Sequence, residues 1–65
     1  MADVRAKTGG FAGTKVEFTA LTQRGRDWLQ YRGGDFTIEL VWPKTRAAEA
    51  FQDCRDFGLV VETVA

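Results

Sequence analysis

The sequence predicts a small two-layer α/β domain in the element order β-α-β-α-β, with an α+β arrangement as the alternative. Three observations carry that expectation. Segments 15–21, 36–42 and 59–64 read as strands, the first two by apolar alternation and the third by its run of β-formers. Segments 22–32 and 44–57 repeat apolar residues at helical steps. Gly33-Gly34, Pro43 and Gly58 punctuate three of the four joins between them.

Residues 1–14 precede this register and read as a flexible Gly-rich arm. Gly9, Gly10 and Gly13 lie among small residues, with Phe11 the one large apolar side chain, so backbone entropy is high and little core is on offer. The alternative is a short edge strand over 4–7 that turns at Gly9-Gly10 and pairs with the first strand. Residues 15–65 make up the single expected domain.

In the first strand Val16, Phe18 and Ala20 point one way, and Lys15, Glu17 and Thr19 the other. Thr22 then suits a helix N-cap, because its hydroxyl can accept from a free backbone N–H of the first turn. Gly25, Trp28 and Leu29 share a face, and the small Gly25 permits close approach to a sheet at some cost in helix propensity. Gly33-Gly34 is the expected stop. In the second strand Phe36, Ile38, Leu40 and Trp42 alternate with Thr37, Glu39 and Val41. Pro43 has no N–H to give a ladder but suits the first turn of a helix. Ala47, Ala50, Phe51, Cys54 and Phe57 make the apolar face of that helix, Gly58 ends it, and 59–64 closes as a strand.

Each strand has an apolar face and a face carrying a carboxylate, the pattern of a three-stranded sheet with both helices on one face. Right-handed crossovers would then place the three strands in sequential order, whereas an antiparallel meander satisfies the same patterning. The uncovered face is expected to present Glu17, Glu39 and Glu62, with Lys15, Thr19, Thr37, Val41, Val60 and Val64.

Size and composition narrow the function classes. At 65 residues the chain forms one domain and buries only about 60% of its unfolded surface, so a staple is expected. One cysteine, Cys54, and no histidine leave neither an intrachain disulfide nor a protein-only zinc site, and self-association is the remaining staple. Nine basic residues balance nine acidic ones, so total charge points to neither nucleic acid nor membrane. With no apolar signal-like stretch in 1–7 and no run long enough for a bilayer, a cytoplasmic protein is expected.

No catalytic constellation is evident, and no small-molecule substrate or cofactor is implied. Gly13-Thr14-Lys15 has the wrong order for a phosphate loop and leads into a strand rather than a helix. Cys54 sits on the apolar face of its helix, where a thiol acts as a small hydrophobe. The expected activity is that of a non-enzymatic interaction module, docking a protein partner or a second copy, as a homodimer, through the open face or a strand edge. Its contact residues are Glu17, Glu39, Val41, Trp42, Val60 and Glu62, with Trp42 either an interface anchor or the edge of the core. The alternative is a weak nucleic-acid binder that uses Lys15, Arg24, Arg26 and Tyr31 as bases interleaved with a stacking aromatic.

Overall fold

A computed structural model describes residues 1–64. It is an α+β arrangement in which four strands form one mixed sheet, β1 (Val4–Gly9), β2 (Lys15–Ala20), β3 (Glu39–Pro43) and β4 (Val61–Val64), in the order β3-β2-β1-β4. Helices α1 (Gln23–Gly33) and α2 (Ala47–Asp56) pack on one side of it. A 3-10 turn, Lys44–Arg46, leads from Pro43 into α2, as the proline suggests.

The first correction concerns the N-terminal segment. It is not an arm but a strand that turns after Gly9 and pairs antiparallel with β2, as the alternative reading has it; only the edge position is wrong, because β4 pairs parallel along its other side. Val4 and Ala6 are buried against the helices while Arg5 and Lys7 face away, a period-two pattern with small inward side chains. The glycines that suggest looseness build the hairpin turn, where Gly10 (φ 78°) and Gly13 (φ 67°) take left-handed conformations.

The second correction concerns strand order and direction. β2 and β3 are antiparallel neighbours although a helix joins them, and the last strand returns to the far edge beside β1 rather than adding to β3. The third concerns Phe36 and Ile38, which alternate with Leu40 and Trp42 in sequence yet lie outside the ladder, 91% and 76% exposed. Register explains this. Thr19 pairs with Glu39, so Ile38 would need Ala20 and Thr37 would need Leu21 as partners. There β2 ends, and Thr22 caps α1. Phe36 itself has a left-handed backbone (φ 66°), which ends the extended run.

The core gathers Val4, Ala6, Val16 and Phe18 from the sheet, Trp28 and Leu29 from α1, Ala47, Ala50 and Cys54 from α2, and Leu59. Phe18 sits at its centre, edge-on to Trp28, Trp42 and Phe51 at centroid distances of 5.7, 5.3 and 5.2 Å. Such offset geometry adds to the area term, and truncating a fully buried Phe costs about 3–5 kcal/mol. α1 approaches the sheet closely at Gly25, where a Cβ would collide with the Asp3 carbonyl oxygen.

Asp3 fastens three elements together. Its Oδ1 accepts from the Thr22 hydroxyl at 2.7 Å, its Oδ2 from the Val60 N–H at 3.0 Å, and its carbonyl from the Leu21 N–H at 2.8 Å. Thr22 in turn accepts from the Gly25 N–H at 3.2 Å, the capping role expected of it. Hydrogen bonds from the Val60 N–H and the Thr22 hydroxyl favour the charged form and hold the Asp3 carboxyl below its ordinary value.

Candidate functional site

Strand alternation sends odd-numbered residues of β1, β2 and β3 to the side without helices, together with Glu62 and Val64 of β4. Two rows cross that face. Glu62, Arg5, Thr19 and Glu39 form one, and Val64, Lys7, Glu17 and Val41 the next. Glu17, Glu39, Val41 and Glu62 thus share the uncovered face, as their sequence positions suggest.

The electrostatics of that face are not set by its three glutamates and Lys15 alone. β1 inserts Arg5 and Lys7 between the carboxylates, and Arg5 Nε meets Glu62 Oε2 at 2.7 Å. Both partners are about half exposed, so the pair contributes at most about 1 kcal/mol. Arg5, Lys7 and Lys15 set against Glu17, Glu39 and Glu62 leave the face balanced rather than acidic. The signal that finds Arg5 and Lys7 is present in the chain, since Val4-Arg5-Ala6-Lys7 alternates like any half-buried strand.

Trp42 is not on this face. Its side chain joins the helix-side core, stacked on Trp28 at 5.9 Å, with the Arg32 guanidinium 5.6 Å above its ring, and it remains half-buried because β3 is an edge. Thr37, expected on the open face, lies in the loop before β3 and packs against Gly33. Val60 precedes β4, with its carbonyl accepting from the N–H groups of Asp3 and Val4 and its side chain exposed.

The residues of the nucleic-acid alternative are dispersed. Lys15 projects from the open face. Arg24 donates to the Gly58 carbonyl at 3.0 Å, Arg26 reaches Gln23 within its own helix, and Tyr31 lies 6.0 Å from Phe57, all in the helix layer. Lys15 is therefore on the opposite side of the sheet from the other three. Cys54 is buried, and desolvation, with Asp53 beside it, pushes its thiol up to about 12.

Among the described residues there is no pocket, no cluster of His, Cys, Asp and Glu able to hold a metal ion, and no helix long and apolar enough to cross a membrane. What stands out is apolar surface along one strand and its approach: Phe36, Ile38 and Val41, the last 46% exposed, beside half-buried Leu40 and Trp42. Comparison with protein-family models, curated proteins and solved structures finds no match for the chain.

Proposed function

We propose that the chain is a non-enzymatic interaction module that binds a protein partner, or a second copy of itself, through its sheet. The observation that carries this reading is the run of exposed apolar side chains at Phe36, Ile38 and Val41, on and beside an edge strand. In so small a chain every large side chain left outside the core forgoes burial worth about 1.5–3 kcal/mol, and exposed apolar side chains gathered on and beside an unpaired strand edge suit an interaction site. The balanced charges of the open face suit a docking surface whose specificity comes from pairing rather than from net attraction. The one cysteine is a buried free thiol, which suits a reducing, cytoplasmic setting.

The test joins two measurements, affinity capture from the source cells and solution mass at high concentration, on wild type and on Glu39→Lys and Val41→Lys variants. Capture of a protein by wild type and its loss in the variants supports the reading. A strictly monomeric mass together with capture unchanged by both substitutions overturns it.

A further inference from the structure

The Lys44 N–H donates to the Thr14 carbonyl at 2.8 Å, one step beyond the Lys15–Pro43 pair, so Thr14–Lys44 is a hydrogen-bonded pair of the antiparallel ladder. Such pairs alternate, which makes Val16–Trp42 and Phe18–Leu40 the bonded ones and turns the backbone groups of Glu39, Val41 and Pro43 outward. The other side of β2 agrees. The Leu21 N–H donates to Asp3, which assigns the odd-numbered residues of β2 to β1 and the even-numbered ones to β3. The β3 edge therefore offers N–H donors at Glu39 and Val41 only, because Pro43 has none.

Resting on the interaction-module reading above, we propose that the occupant of this edge is a second copy of the chain, docked antiparallel about a two-fold axis at Leu40. In that register Glu39 of one copy faces Val41 of the other, and each pair exchanges two N–H···O=C bonds. Every outward donor on the two strands is then satisfied, and Pro43 ends the ladder on each side. Leu40 meets its own copy as a non-hydrogen-bonded pair, the closely spaced kind at about 4.5 Å between Cα atoms. Trp42 lies opposite the partner's Ile38 once β3 is extended by that one adjoining residue.

Three features of the chain fit this occupant. Leu40 and Trp42 are only half covered by their own helices, whereas their β2 neighbours Phe18 and Val16 are buried, so a second sheet completes their burial. Ile38, 76% exposed, gains an apolar partner. Charge along the edge is also asymmetric: Glu39 is its first residue and Lys44 follows its last. Antiparallel docking sets acid against base, and parallel docking would set like against like. The opposite edge also exposes apolar side chains, Val60 at 57% and Val64 at 36%, with Val61 half-buried, but it has no aromatic side chain to cover. By the same alternation, from the Val4 N–H to Val60 carbonyl bond, β4 turns outward backbone groups at Val61 and Thr63, and its Glu62 is already paired with Arg5. The product is one sheet of eight strands, four from each copy.

Sedimentation equilibrium from micromolar to millimolar concentration tests this. Wild type is expected to rise toward twice the 7.3 kDa chain mass. Ile38→Asp, outside the core of its own copy, and Val41→Pro, which deletes an outward N–H, are expected to stay monomeric with unchanged circular dichroism. Lys7→Ala, on the open face away from the edge, is expected to dimerise like wild type. Mild oxidation of Leu40→Cys is expected to trap a covalent dimer, whereas Glu17→Cys does not. Wild type that stays monomeric throughout overturns the inference while leaving partner capture to decide the broader reading. Dimerisation that survives Ile38→Asp but is lost in Lys7→Ala overturns the edge and moves the interface to the open face. A dimer that Leu40→Cys fails to trap overturns the register. Should Val41→Pro fail to fold, Ile38→Asp decides alone.

Discussion

The indole N–H of Trp28 donates to Asp53 Oδ2 at 2.8 Å, and Arg32 Nε approaches the same oxygen at 3.3 Å. One carboxylate on α2 thereby satisfies the single polar atom of the largest fully buried side chain in the core. It also anchors the guanidinium that lies over Trp42. The contact joins the two helices across the top of the aromatic cluster.

Replacing Asp53 with alanine leaves a buried indole N–H without an acceptor, at a cost of about 1–3 kcal/mol. Asp53→Asn keeps an acceptor and is expected to lose less. Urea midpoints of both variants check this, and an Asp53→Ala midpoint equal to wild type would show that the bond contributes nothing net.

Gly25→Ala sets helix propensity against packing. Propensity alone favours alanine by about 1 kcal/mol in a helix interior. At this position, however, the new Cβ meets the backbone carbonyl of Asp3 and lies 3.2 Å from Cγ2 of the buried, β-branched Val4, neither of which is the end of a flexible side chain. Forcing them apart costs about 1–3 kcal/mol, so the variant is expected to be less stable than wild type. A higher melting temperature would refute the close approach of α1 to β1.

Acid should weaken the fold through Asp3. Its carboxyl titrates below the ordinary value of 3.8 in the folded chain, because the Val60 N–H and the Thr22 hydroxyl favour the charged form. A depressed carboxylate contributes stability that is present above its unfolded value and is lost as pH falls through the folded one. Stability measured from pH 6 downward is expected to fall around and below 3.8. Asp3→Asn should begin lower and fall less steeply over that range, and parallel curves would assign the acid sensitivity to other carboxylates.

The thiol of Cys54 works in the opposite direction. Burial raises it from 9.0 to about 12, so its contribution is intact below 9.0 and is lost as pH rises above that value, where the unfolded chain ionises first. At neutral pH a thiol reagent is expected to label the native chain only as fast as it opens, and to label it at once in denaturant. Rapid stoichiometric labelling of the native state would place Cys54 outside the core.

Much of the helix layer was legible from residue spacing. Thr22 caps α1, Trp28 and Leu29 are buried, and Ala47, Ala50 and Cys54 face the sheet, because helical period and capping chemistry are local properties. The open face was legible in part. Glu17, Glu39, Val41 and Glu62 lie where alternation puts them, but Arg5 and Lys7 between them belong to a strand whose small apolar residues and following glycines resemble a loose arm. Phe36 and Ile38 carry a strand pattern that their neighbour, turning into α1 after Ala20, leaves without a partner.

Which side of each helix and paired strand is apolar follows from the order of residues alone, since a side chain's direction follows from the period of its own segment. That β1 is interior, that the last strand returns beside it, and that β3 keeps a bare edge with Ile38 and Phe36 beyond it emerge only in the folded sheet. Those outcomes depend on which backbone finds a hydrogen-bonding partner across long stretches of chain, and pairing between distant strands is not encoded in the period of either one.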